Sequence, residues 1–102
     1  MKVAERGILE VEYSASKAVV SRLIADETLV VPIRNGVGDL ASIYTFNRAG
    51  TLLWDQFSSG KKSVRTLVDA VTAEYQVSPE QAFQDTISFI EELEKEGLLA
   101  RV

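Results

Sequence analysis

Ala41-Ser42-Ile43-Tyr44-Thr45-Phe46-Asn47-Arg48-Ala49-Gly50-Thr51-Leu52-Leu53-Trp54 is the stretch in which the hydrophobic pattern changes its period. Up to Phe46 it alternates with β-branched and aromatic residues, as a strand does, and from Asn47 onward the apolar positions recur at 3.6 residues. Asn47 suits an N-cap, because its side-chain oxygen can accept from an orphan N–H of the first turn. Gly50, Leu53, Trp54 and Phe57 then fall at helical spacing, and Ser58-Ser59-Gly60 ends the run. A strand Ala41 to Phe46 therefore hands over directly to a first helix, so the chain divides into a β half and an α half.

Working back toward the N-terminus, Val19 to Ile24 and Thr28 to Ile33 are rich in β-branched residues and flank Ala25-Asp26-Glu27, the pattern of a β-hairpin. Pro32 cannot donate to a ladder and marks the end of the second strand. Arg34-Asn35-Gly36-Val37-Gly38-Asp39 reads as a turn-rich loop, since Asn-Gly supplies positive φ. Three strands with short links form an antiparallel meander whose first and third members are edges. Residues 1–16 read as an N-terminal arm, in which Ile8 to Tyr13 could make a short strand, ahead of a domain over 17–102.

Toward the C-terminus, Ser63 caps a second helix carrying Val64, Leu67, Val68, Val71 and Tyr75 on one stripe. Ser78-Pro79-Glu80-Gln81 joins an N-cap Ser, Pro at the first helical position and Gln at the capping-box position. That third helix runs to Glu96, and Gly97 is a C′ residue. Leu98 to Val102 returns as a tail or short strand. The expected fold is α+β: a three-stranded antiparallel sheet followed by a three-helix, winged-helix-like unit.

Composition removes several chemistries. The chain has 102 residues with 46% apolar content, enough for one core, and it has no Cys and no His. Thiolate metal sites, Cys nucleophiles, imidazole bases and Ser-His-Asp triads are excluded, and no cofactor or metal is expected. Asp55, Asp69 and Asp85 have no nucleophile or metal-ligand spacing beside them, so the chain reads as a non-enzyme. No window approaches the ~20 apolar residues of a membrane span. The start Met1-Lys2-Val3-Ala4-Glu5-Arg6-Gly7 lacks an apolar run of the signal-peptide type, so a cytoplasmic location is the expectation.

Net charge is −4, and the third helix is more acidic still. Glu80, Asp85, Glu91, Glu92, Glu94 and Glu96 oppose Lys95 alone. A winged-helix reading would make this the DNA-contacting helix, but it would repel phosphates, so no nucleic-acid partner is expected.

The segment from Tyr44 to Leu99 resembles the PqqD-like family, the recognition elements of ribosomally made, modified peptides. The residues that carry the likeness are Tyr44-Thr45-Phe46-Asn47, Gly50, Leu53-Trp54, Gly60, Val64, Leu67, Tyr75-Gln76-Val77, Asp85, Phe89-Ile90, Leu93 and Gly97-Leu98-Leu99. Phe46 stands where the family more often has Leu, and the Arg34 to Asp39 loop looks longer than the family's tight turn. The resemblance implies that a precursor's leader peptide binds as an added strand along the third strand, in a groove beside the third helix. It also implies a modifying enzyme as partner, often a radical-SAM protein, with pyrroloquinoline quinone biosynthesis as one pathway of the family.

The residues support such a groove in two ways. Neither Pro nor Lys guards Ser42, Ile43, Tyr44 and Thr45, although edges are commonly blunted in that way. Strand addition needs just such an edge. On the third helix, Phe89, Ala82, Leu93, Thr86, Ile90, Phe83 and Ile87 fan over about 160°, more than a surface helix usually needs. The excess, Phe83, Ile87 and Ile90, is the expected groove wall, with Glu91 and Glu94 at its border. The same open edge could pair with its own copy as a homodimer. A protein–protein adaptor that docks by its helical face is the remaining alternative.

Overall fold

The computed structural model describes residues 7–102. Residues 7–9 make a helical turn, followed by strands β1 (Glu12–Ala15), β2 (Val19–Ile24), β3 (Glu27–Arg34), β4 (Val37–Gly38) and β5 (Tyr44–Phe46). Helices α1 (Arg48–Gln56), α2 (Val64–Glu74) and α3 (Pro79–Lys95) follow, with short strands β6 (Lys62–Ser63) before α2 and β7 (Leu99–Arg101) after α3. The α+β class read from the periodicities is the class observed.

Strand β3 organises the first sheet. It pairs antiparallel with β2 from Val19↔Pro32 to Ile24↔Glu27 along one side. On its other side it pairs with β4 (Ile33↔Gly38) and with β5 (Thr28↔Phe46, Val30↔Tyr44). Both hairpin turns have two residues. Ala25 takes φ 56° in the first, and Asn35 and Gly36 take φ 53° and 77° in the second, the positive pair that a type I′ turn demands. The expected loop Arg34 to Asp39 is thus a tight hairpin, and Glu27 belongs to the strand.

The third strand is shorter than expected. Leu40–Ser42 is a 3₁₀ turn, because Asp39 accepts from the Ala41 N–H (3.1 Å), the Ser42 hydroxyl (2.9 Å) and Arg34 Nε (2.8 Å). These bonds, the Ser42 hydroxyl foremost and Arg34 next, hold the Asp39 carboxyl below its ordinary range. A capping Asp offers the backbone an alternative to the ladder, and here it wins over β propensity.

The N-terminal reading gains a definite answer at its far end. Strand β1 lies between β6 and β7 in a second antiparallel sheet, and Tyr13 on it is buried. The possible strand therefore sits at Glu12–Ala15 and not at Ile8 to Tyr13; residues 1–6 of the expected arm lie outside the described residues. The tail is β7, reached through Gly97 at φ 77°.

The helices begin where their caps predict. Asn47, Ser63 and Ser78 accept from the N–H groups of Gly50, Thr66 and Gln81. Their apolar stripes close one core of Val30, Phe46, Leu53, Val64, Leu67, Ile90 and Leu93 with Tyr13, Leu98 and Leu99.

Candidate functional site

The direction of each main-chain group in the first sheet follows from two bonds. Ile33 N–H donates to the Ala18 carbonyl (2.8 Å), and Asp39 N–H donates to the Pro32 carbonyl (2.8 Å). Directly opposed residues in an antiparallel ladder alternate between bonded and non-bonded pairs. Leu29, Val31 and Ile33 therefore aim their main-chain groups at β2, while Thr28, Val30 and Pro32 aim theirs at β4 and β5. Through Thr28↔Phe46 and Val30↔Tyr44, Tyr44 and Phe46 use their main-chain groups on β3. Thr45 faces the other way. Its N–H and C=O point out of the sheet, and among the described residues no strand pairs with that side.

Beside this edge runs a groove of about 750 Å³. Strand residues Tyr44, Thr45 and Phe46 form one wall, and Asp85, Ser88, Phe89 and Glu92 of α3 form the other. Asn47 to Gly50 and Leu53 of the α1 region, with Val71, Tyr75 and Val77, complete the lining. The floor is aromatic: Phe46 stands 5.1 Å from Tyr44 and 5.5 Å from Phe89, centroid to centroid, in tilted pairs, and 5.5 Å from Trp54, which lies outside the groove's lining. Such pairs fix ring positions beyond simple burial. The Tyr44 hydroxyl donates to Glu92 and ties the two walls. Burial against the wall, then that bond, then the charges of Glu92 and Glu96 push the Tyr44 phenol above its ordinary range.

Of the residues singled out from sequence, Tyr44 and Thr45 line the groove. Ile43 is the exposed residue between the 3₁₀ turn and β5, and Ser42 is in the turn with its hydroxyl on Asp39. The third-helix residues are redistributed. Ile90 is a core residue, and Ile87 packs against the core from its margin. Phe83 lines a different hollow with Leu9, Arg65 and Pro79. Glu91 and Glu94 are exposed and lie outside the groove's lining.

The reason is angular. At ~100° per residue, Phe89 marks one end of the apolar arc, with Glu92, Asp85 and Ser88 beyond it, while Phe83 and Ile87 mark the other end. The groove occupies the Phe89 end, and the Phe83 end carries the apolar excess toward the N-terminal segment. A signal was available. Strand parity sends Tyr44 and Phe46 inward together, and two such rings call for an aromatic partner on the helix, which Phe89 is.

No metal-ligand cluster of three His, Cys, Asp or Glu occurs among the described residues, and no helix there is long and apolar enough to cross a membrane. What the site offers is an unpaired strand edge, an apolar floor and an acidic wall. That arrangement can hold an extended chain.

Comparison with known proteins points the same way. No curated protein matches the sequence. Among solved structures, the one described as TbiB1 in complex with the TbiA(beta) leader peptide superposes with a TM-score of 0.72 and 29% identity, over 84% of this chain and 93% of that chain. Residues 27–99, which run from the first residue of β3 into β7 and include both groove walls, match the family described as coenzyme PQQ synthesis protein D (PqqD), and the chain belongs to that PqqD family.

Proposed function

We propose that this protein is a recognition element and not a catalyst: it captures the leader segment of a ribosomally made precursor peptide by strand addition on β5 and presents it to a modifying enzyme. The carrying observation is the outward N–H and C=O of Thr45 at the rim of an aromatic groove. Main-chain bonds to that edge give affinity without sequence preference, and alternate side chains of the guest enter the groove. TbiB1, similar over most of its length, is described with a leader peptide bound, which supports the same class of ligand here. A radical-SAM protein is the enzyme partner of this reading. The acids Asp85 and Glu92 on the groove wall oppose a nucleic-acid ligand.

The edge is short, so main-chain bonding is modest. About four bonds at roughly 0.5–1.5 kcal/mol each, joined by one or two apolar anchors at ~1.5–3 kcal/mol, offset the ordering of the guest and reach about micromolar affinity.

The test is titration calorimetry with a synthetic leader peptide from the precursor encoded beside this chain's gene. Thr45→Pro removes an N–H that β3 does not use, so the sheet survives, and binding should weaken about ten-fold. N-methylating the peptide's amides one at a time should weaken binding at alternate positions only, a period of two that a helical or loop-bound guest would not produce. Undiminished affinity of a folded Thr45→Pro variant together with a flat methylation scan would reject strand addition.

A further inference from the structure

The opposite edge of the first sheet is also open. Strand β2 has β3 on one side and, among the described residues, no strand on the other. Five of its six residues are exposed, including Val20 (51%), Leu23 (64%) and Ile24 (54%). Its sequence, Val19-Val20-Ser21-Arg22-Leu23-Ile24, holds no Lys or Pro and a single charge, Arg22, as a guard against edge pairing, and its register with β3 runs without a bulge.

We propose that β2 pairs antiparallel with β2 of a second copy of this chain, with the two-fold axis at Ser21. The same ladder parity that orients Thr45 settles the register. Val20, Arg22 and Ile24 aim their main-chain groups at β3, so Val19, Ser21 and Leu23 aim theirs outward. Pairing centred on Ser21 sets Val19 against Leu23 of the second copy, Ser21 against Ser21, and Leu23 against Val19. All three are hydrogen-bonded pairs, giving about six main-chain bonds. Shifting the centre by one residue would put Arg22 directly against Arg22 in a non-bonded pair, where side chains are closest and like charges repel.

The Ser21 register instead sets the Arg22 stem against Val20 and leaves its head free to reach water. Continued outward, it brings Lys17 of each copy to the Ala25-Asp26 turn of the other, a complementary charge at both ends. A strand so matched to its own inverse fits a C2 partner, whose interface must be self-complementary. The result is one continuous sheet with a β5 edge at each far end, so both peptide grooves stay accessible.

Sedimentation equilibrium of the wild-type chain, without peptide, should show the mass rising from 11.2 kDa toward twice that value over about 1–500 μM, as weak edge pairing predicts. Ser21→Pro removes an outward N–H that β3 does not use, and Leu23→Lys supplies a Lys guard. Each should weaken dimerisation at least about ten-fold while far-UV circular dichroism stays unchanged, and Leu23→Lys carries the test if Ser21→Pro misfolds. A monomer at every concentration would overturn the proposal, and so would a dimer that survives both substitutions but is lost in Thr45→Pro. Because no leader peptide is present, either outcome is independent of the peptide-binding reading.

Discussion

Gly50 shows how much of the groove hangs on one missing side chain. A Cβ at this position would stand 3.0 Å from the Phe46 Cβ and 3.3 Å from its ring, too close for two packed carbons. Gly in a helix costs about 1 kcal/mol relative to Ala, so α1 accepts that cost in order to lie directly against β5 and press Phe46 into the aromatic floor. Gly50→Ala should therefore lower stability by about 1–3 kcal/mol through overpacking, even though Ala is the better helix former. Urea unfolding checks it, and a higher midpoint for the variant would contradict the close-packing account. At this scale the sequence was partly legible. Gly50 stood on the apolar stripe, where a helix has no intrinsic use for it. What pressed on it could not be seen until Phe46 was placed.

Between elements, the contact that matters most is the bond from Tyr44 on β5 to Glu92 on α3. The folded chain holds the Tyr44 proton more tightly than the unfolded chain, whose phenol keeps its ordinary value of 10.0. The native state then binds more protons at alkaline pH, so this contribution is complete below that value and is lost as pH rises above it. Tyr44→Phe removes the titrating group, and its stability should fall less steeply than that of the wild type above about pH 10. Parallel alkaline slopes in chemical denaturation would remove Tyr44 from the account. Elements were legible wherever their signals are local. Asn47, Ser63 and Ser78 announced three helix starts, and Asn35-Gly36 announced a turn. Two things were not local. Asp39 shortened the third strand through bonds to Arg34 and Ser42, which required the hairpin to exist first. The wall that α3 presents depends on how the helix is rotated against the sheet, and the width of its apolar arc pointed to the Phe83, Ile87 and Ile90 end, whereas the groove lies at the Phe89 end. Glu92 entered the sequence reading only as part of the third helix's negative charge, because its partner, Tyr44, was on another element.

At the scale of the molecule, the region matched to the PqqD family, residues 27–99, is smaller than the unit that holds together. Strand β1 lies outside it, yet β1 is the strand between β6 and β7. Val64 N–H at the head of α2 donates to the Val11 carbonyl (3.0 Å), and Ser16 N–H donates to the Leu98 carbonyl (2.9 Å). Tyr13 is 2% exposed, and loss of a buried aromatic side chain alone costs about 3–5 kcal/mol. A domain of this size has only about 5–15 kcal/mol in total. Without β1, the strands on either side of it also lose their ladder partner, and Leu98 and Leu99 lose part of their cover. A fragment of residues 17–102, which lacks β1 and keeps every other strand, should accordingly show no cooperative urea transition, whereas the full chain unfolds in one step. A sigmoidal transition with native helical content in that fragment would mean that the second sheet is an accessory. Its absence would mean that the N-terminal strand, which carries no family motif, clamps the start of α2 and the end of α3, and thereby sets the spacing of the groove's helical wall from a distance.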